Sequence, residues 1–274
     1  MIFADLTKTF EKLNFIITDR MDNETDTLVR LQRRYVIGAL TLMPIAPFLY
    51  VQGQITRWKV GLLPDAAGNT AGKYGEGDYG ASLFVLGEST VAGLGARNHE
   101  RGLAGQFAGN LSEHIGRPVE WTVLGRNGVT ARRTIDELVP LMPDKQFDYV
   151  LLGIGGNDVM RLSSPRKWRA DMLELLGILK DKNPNAVIFI SNCPMIIMSP
   201  IMPEPIKSTL WRLSQMHDIN IKEFTRDMDR VFYYPQPALV RREGFFADGI
   251  HPSEQGYADW AAAMMQYFSN NCEW

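Results

Sequence analysis

Cysteine is scarce in this chain of 274 residues: there are two, Cys193 and Cys272. So few, so far apart, allow at most one disulfide and imply none. Cys-x-x-Cys and His-Glu-x-x-His are both absent, and the four histidines, His99, His114, His217 and His251, are dispersed, so the sequence supports no zinc site. We expect no metal and no cofactor. An excess of either charge is also missing. The 29 basic and 31 acidic residues give a net charge of −2, and no basic stripe extends beyond Arg30, Arg33 and Arg34, which argues against a nucleic-acid partner. Internal repeats and low-complexity tracts are absent as well. What remains is a chain that is 45% hydrophobic, ample for a proper core.

The chain divides into four parts. Residues 1–34 form a charged N-terminal segment with weak helical periodicity. Residues 35–51 contain no charged side chain, a length at the lower limit of the roughly 17–25 residues that span a bilayer, and Pro44 and Pro47 would kink a helix there. Three readings of this run stay open: a single membrane anchor, a segment lying in the interface, and an apolar helix packed on the rest of the protein. A cleaved secretory signal fits poorly, because the run begins late and no Ala-x-Ala site follows it closely. Basic residues slightly favour the preceding side as the inside face. A spanning run would therefore place the remainder in the periplasm or outside the cell; otherwise a cytoplasmic location stands. Residues 52–80, rich in glycine and turn formers, are expected to be a linker, and residues 81–274 the folded domain.

Within that domain strand-like and helix-like stretches alternate. Strands are predicted at 82–86, 120–125, 148–153, 186–192 and 229–234, and helices at 103–115, 131–141, 165–182, within 204–224 and at 254–269. The runs at 148–153 and 186–191 are short and nearly all apolar, as expected of parallel strands covered on both faces, and the strand at 229–234 is weak. The order predicts a three-layer α/β/α sandwich, in which functional groups collect at the carboxyl ends of the strands.

Four polar turns fall at those ends or just before the last helix. They are Gly87-Glu88-Ser89, the glycine-bearing turn at Gly128, Gly155-Gly156-Asn157-Asp158, and Asp248-Gly249-Ile250-His251-Pro252. A serine hydrolase needs a nucleophile, a base, a carboxylate to orient the base, and donors for an oxyanion. Ser89 is the candidate nucleophile, His251 the base and Asp248 its orienter. Glu88 adjoins Ser89 and is badly placed for the orienting role. The main-chain N–H groups of Ser89 and Gly128 and the side-chain amide of Asn157 are the candidate oxyanion hole. The second glycine of a Gly-x-Ser-x-Gly elbow is missing, because Val91 occupies its place. The other three histidines are expected at solvent or at helix caps. Residues 193–205 carry four prolines and three methionines; Met195, Met198 and Ile250 are candidate substrate-binding residues, with an adaptable acyl-chain groove and a rigid packed loop as the two readings.

Taken in this order, the four blocks resemble the signature blocks of the SGNH hydrolases, also called the GDSL esterase/lipase family, over about residues 82–270. One departure is that the usual Gly-Asp-Ser is here Gly-Glu88-Ser. The resemblance implies a flavodoxin-like, five-stranded parallel sheet of order 2-1-3-4-5. It also implies metal-free ester hydrolysis through an acyl-enzyme, with the roles assigned above. The expected activity is that of a serine esterase on short to medium acyl esters, extending to a lipase or lysophospholipase. The alternative is a carbohydrate O-deacetylase or a glycan acyltransferase, with thioester hydrolysis ranked behind both. The expected partner is a small-molecule or lipid ester, with membrane association through residues 35–51.

Overall fold

The computed structural model describes residues 25–61, 63–78, 80–237 and 243–273. It begins with two helices, α1 (Asp26–Leu42) and α2 (Ala46–Val60), joined by a tight turn at Met43–Ile45. Pro44 and Pro47, which lack N–H donors, account for the break between them. The strands are β1 (Ala71–Tyr74), β2 (Ala81–Gly87), β3 (Val119–Gly125), β4 (Tyr149–Gly153), β5 (Val187–Ile190) and β6 (Val231–Tyr233). The remaining helices are α3 (Leu103–Ile115), α4 (Gly156–Met160), α5 (Pro165–Lys182), α6 (Ile206–Thr225) and α7 (Glu254–Asn271). The helix predicted at 131–141 is irregular. It passes from one α-helical turn at Ala131–Arg133 through a wide turn at Thr134–Leu138 to a narrow one at Val139–Leu141, where Pro140 cannot donate.

The strand order is β1-β3-β2-β4-β5-β6. From β3 to β6 all neighbours are parallel, which is the expected 2-1-3-4-5 order. Among the described residues the sheet nevertheless has six strands rather than five, because β1 pairs antiparallel with β3 from Ala71 opposite Thr122 to Tyr74 opposite Val119. This strand lies inside the segment expected to be a linker, and α2 overlaps the start of that segment. Nor does a boundary fall at residue 34, since α1 runs through it. Residues 1–24 lie outside the described residues.

Successive side chains of a strand point to opposite faces, and β2 feeds two cores in this way. Leu83 and Val85 pack with Phe107 and Leu111 of α3 and Met264 and Phe268 of α7. Phe84 and Leu86 pack with Trp168, Met172 and Leu175 of α5. This is the three-layer α/β/α sandwich read from the sequence. Helix α1 is capped by Thr25, whose hydroxyl accepts from the N–H of Leu28, and it buries Leu28 and Leu31 against α5 and α6. Both cysteines are free thiols.

Candidate active site

Three of the four polar turns leave the sheet at one level, because Gly87 pairs in register with Gly125 on one side and Gly153 on the other. The strand ends are drawn together. Glu88 N–H donates to Gly153 O at 2.9 Å, and Arg126 N–H donates to Gly87 O at 3.1 Å. A Cβ on Gly87 would sit 1.9 Å from Gly153 O, so glycine is required at this crossing. Ser89 then enters a tight turn closed by the N–H groups of Val91 and Ala92, each 2.9 Å from Glu88 O. Val91, at the position of the elbow's second glycine, is buried in the core.

The fourth turn meets the other three across the sheet edge. Asp248 Oδ1 accepts from the N–H groups of Ile250 (2.9 Å) and His251 (2.7 Å), an arrangement that winds the loop around its own aspartate. Asp248 Oδ2 lies 2.7 Å from His251 Nδ1, and His251 Nε2 lies 3.2 Å from Ser89 Oγ. A carboxylate facing Nδ1 fixes the proton there, so Nε2 presents its lone pair to the Ser89 hydroxyl. Burial pushes the Asp248 carboxyl up, but the bonds from the His251 ring, the His251 N–H and the Ile250 N–H outweigh it and hold the carboxyl below its ordinary range.

Gly128 has φ of +81°, and a Cβ there would meet nothing within 4 Å; the backbone conformation, rather than crowding, calls for glycine. Asn157 sits in the first turn of α4, held by Glu88. The Glu88 carboxylate accepts from Gly156 N–H at 2.7 Å, from Asn157 N–H at 2.8 Å and from Asn157 Nδ2 at 2.7 Å. One hydrogen of the Asn157 amide is thereby fixed, and the second remains for the cleft that Asn157 lines. Asp158 braces the neighbouring turn, accepting from Ala131 N–H at 2.9 Å and from the Ser163 hydroxyl at 3.2 Å.

Burial raises the Glu88 carboxyl from 4.5 to about 7, against the lowering effect of the Asn157 and Gly156 donors. A carboxyl whose folded pKa is raised stabilises the fold below the unfolded value and loses that contribution as pH climbs through the folded one. Ionising Glu88 therefore costs about 3 kcal/mol across pH 4.5 to 7. Glu88→Gln has no such group to ionise. In urea titrations the stability difference between the two proteins should move toward the Gln variant by about that amount over this pH interval. A difference that stays constant with pH would refute the buried carboxylate.

Two of the remaining histidines depart from the expectation of solvent or caps. His99 and His217 are buried, whereas His114 sits exposed in the last turn of α3. His217 stacks on Trp168 with ring centroids 4.9 Å apart, and its Nε2 donates to Ser163 O at 3.0 Å. Burial holds its pKa down to about 4, so it is neutral in the fold. The spacing Leu210, Leu213, His217, Ile221, Phe224 already places it on the apolar face of α6, and this was the signal available in the sequence.

Ser89, Gly128, Asn157 and His251 open into one cleft of about 1540 Å³, whose wall includes Met195, Met198 and Ile250. All the candidate site residues except Asp248, which stands behind His251, line it. A further part of the wall did not figure among the candidates: it is built by Tyr35, Gly38, Ala39 and Leu42 of α1 and by Leu49 and Gly53 of α2. Among the described residues, no group of three His, Cys, Asp or Glu side chains is placed to hold a metal ion.

Comparison with known proteins agrees with this architecture. The profile of the GDSL-like Lipase/Acylhydrolase family matches residues 85–258. The fold is similar to that of the lipase Lip_vut3 from a goat rumen metagenome, at 15% identity and a TM-score of 0.55, covering 69% of this chain and 96% of that one. It is also similar to the psychrotrophic esterase EstA from Pseudoalteromonas sp., at 15% identity and a TM-score of 0.52, covering 70% and 100%. A family 3 carbohydrate esterase from Clostridium thermocellum aligns at 17% identity and a TM-score of 0.52, covering 70% and 96%. No curated protein matches the sequence.

Proposed function

Because this chain belongs to the GDSL-like lipase/acylhydrolase family and is a carboxylic ester hydrolase, we propose that it cleaves esters of short to medium acyl chains through an acyl-enzyme on Ser89. The observation that carries this reading is His251, bonded to Asp248 through one ring nitrogen and to Ser89 through the other. His251 Nε2 takes the hydroxyl proton as Ser89 Oγ attacks the ester carbonyl. The carbonyl oxygen becomes an oxyanion held by the N–H groups of Ser89 and Gly128 and by the Asn157 amide. The proton passes from His251 to the leaving alkoxide, and the alcohol departs. Water, activated by the same nitrogen, then attacks the acyl-enzyme and restores Ser89. Asp248 stabilises the imidazolium formed in each half-reaction without taking its proton.

The acyl group is assigned to the apolar side of the cleft near Met195 and Met198. Methionine side chains adapt to chains of different length, and this favours acyl recognition over glycan O-deacetylation. Six methylenes separate acetate from octanoate, and each is worth about 0.8 kcal/mol when fully buried. The p-nitrophenyl octanoate ester should therefore exceed acetate in kcat/KM by about tenfold or more, and Met195→Ala with Met198→Ala should narrow that ratio. An acetate optimum that is indifferent to the methionines would move deacetylation of glycans to the front.

A further inference from the structure

The stretch Asp26–Val60 is long and apolar enough to cross a membrane, and its most apolar window is not buried anywhere against the protein. Its two faces differ. One lines the cleft, through Tyr35, Gly38, Leu42 and Leu49. The other carries Val36, Ile37, Leu40, Phe48, Val51 and Ile55, which do not line the cleft and are exposed, Leu40 to 59% and Phe48 to 58%. Of the sixteen exposed large hydrophobic side chains among the described residues, ten fall between Val36 and Trp58. A patch so concentrated needs a partner.

The ends of the run decide between crossing a bilayer and lying on it. At one end Tyr35 Oη donates to Leu162 O at 2.7 Å, and Arg166 N–H donates to Gln32 Oε1 at 3.2 Å. At the other, Gln52 Nε2 donates to Glu204 O at 2.7 Å, and Ile206 N–H donates to Gln52 Oε1 at 3.3 Å. Both ends of the uncharged run are thus fastened to the same domain. A spanning helix would have to carry one end across about 30 Å of hydrocarbon, away from that domain. The charges identify the partner surface. No Asp or Glu occurs between Asp26 and Asp65, whereas Arg30, Arg33, Arg34, Arg57 and Lys59 flank the apolar run and are exposed. Trp58, exposed to 82%, and Tyr50 are residue types that settle at headgroup level.

We infer that α1 and α2 lie in the plane of an anionic phospholipid surface, outer face in the lipid, so that the cleft they wall receives its acyl ester from the bilayer. The substrate half of this inference rests on the esterase reading above; the docking half does not. The rim continues the patch, because Met160 and Leu162 are exposed and line the same cleft. Its volume exceeds the roughly 300–1,000 Å³ of ordinary small-ligand pockets, leaving room for a chain and a headgroup together.

Full-length protein carrying Cys272→Ser would be floated with preformed vesicles of phosphatidylcholine, with and without phosphatidylglycerol. Binding should be stronger with the anionic lipid and weaken by about tenfold or more at high salt. With Arg30→Cys or Lys59→Cys added singly, a membrane-impermeant maleimide outside the vesicles should label both positions; labelling of only one would mean a span and overturn the inference. Leu40→Asp with Phe48→Asp should reduce vesicle binding, and hydrolysis of a vesicle-held long-chain ester, by about tenfold or more, leaving p-nitrophenyl acetate turnover unchanged. The acetate rate reports that the variant is folded, and Ile55→Asp alone offers a milder version. Absence of vesicle binding by the parent, or a dimer in light scattering that these substitutions dissolve, would overturn the inference in favour of no partner or of a second copy. Loss of Ser89-dependent acetate hydrolysis would instead defeat the esterase reading, while the flotation result would still stand.

Discussion

Ser89→Ala lowers kcat for p-nitrophenyl butyrate by about 10⁴–10⁶, His251→Ala lowers it by a similar factor, and the double variant is no worse than either. The non-additivity follows from the geometry. With His251 Nε2 at 3.2 Å from Ser89 Oγ, the imidazole is the base bonded to the hydroxyl, and both half-reactions pass through that nitrogen. Removing either leaves the oxyanion donors and the cleft, which support only residual turnover. A fluorophosphonate should add to Ser89 in the parent and to nothing in the variant, as read by mass spectrometry of the labelled peptide. Retention of more than about a tenth of the parental rate by Ser89→Ala would mean that Ser89 is a turn residue and that the proposed mechanism is wrong.

Asp248→Asn is expected to cost about 10⁴ in kcat near neutral pH while leaving the loop intact. Asp248 uses its two oxygens for separate tasks. Oδ1 holds the N–H groups of Ile250 and His251, and an asparagine oxygen does this equally well. Oδ2 faces His251 Nδ1, and an amide NH₂ in its place donates to that nitrogen and drives the ring proton to Nε2. The Ser89 hydroxyl then faces a donor rather than a base. Thermal melting should change little, which separates the tautomer effect from loss of structure. A rate within tenfold of the parent would remove Asp248 from the triad and direct attention to another orienter.

The candidate edge was legible because Ser89, Gly128 and Asn157 stand in polar turns after apolar runs that read as buried parallel strands, and Asp248 and His251 in the polar turn before the last helix. The order Ser89, Gly128, Asn157, Asp248, His251 then needs only the α/β alternation to bring all five to one edge. Glu88 was legible as a departure from Gly-Asp-Ser, but its three hydrogen bonds to Gly156 and Asn157 depend on how closely β2 and β4 end, which no local pattern encodes. β1 was not legible at all. Ala71–Tyr74 is four residues between glycine-rich turns, without alternation, and it becomes a strand only because β3 offers an edge to pair with. The apolar run at 35–51 was visible as a run, but hydropathy weighs Leu42 and Leu40 alike, although one faces the cleft and the other does not. Only the hydrogen bonds at both of its ends distinguish lying along the domain from leaving it.

The placement of β1 also bears on how the protein can be handled. A chain begun at Ala81, where the apolar and polar patterning alone would start the catalytic unit, loses the strand that occupies the flank of β3. Four residues of β3, from Val119 to Thr122, would then present unsatisfied main-chain donors and acceptors along a newly opened border. Such a border is a template for a neighbouring molecule, and β3 would meet its like in solution. The short piece before the signature blocks thus acts as a selvedge, keeping one molecule's sheet from being stitched to the next.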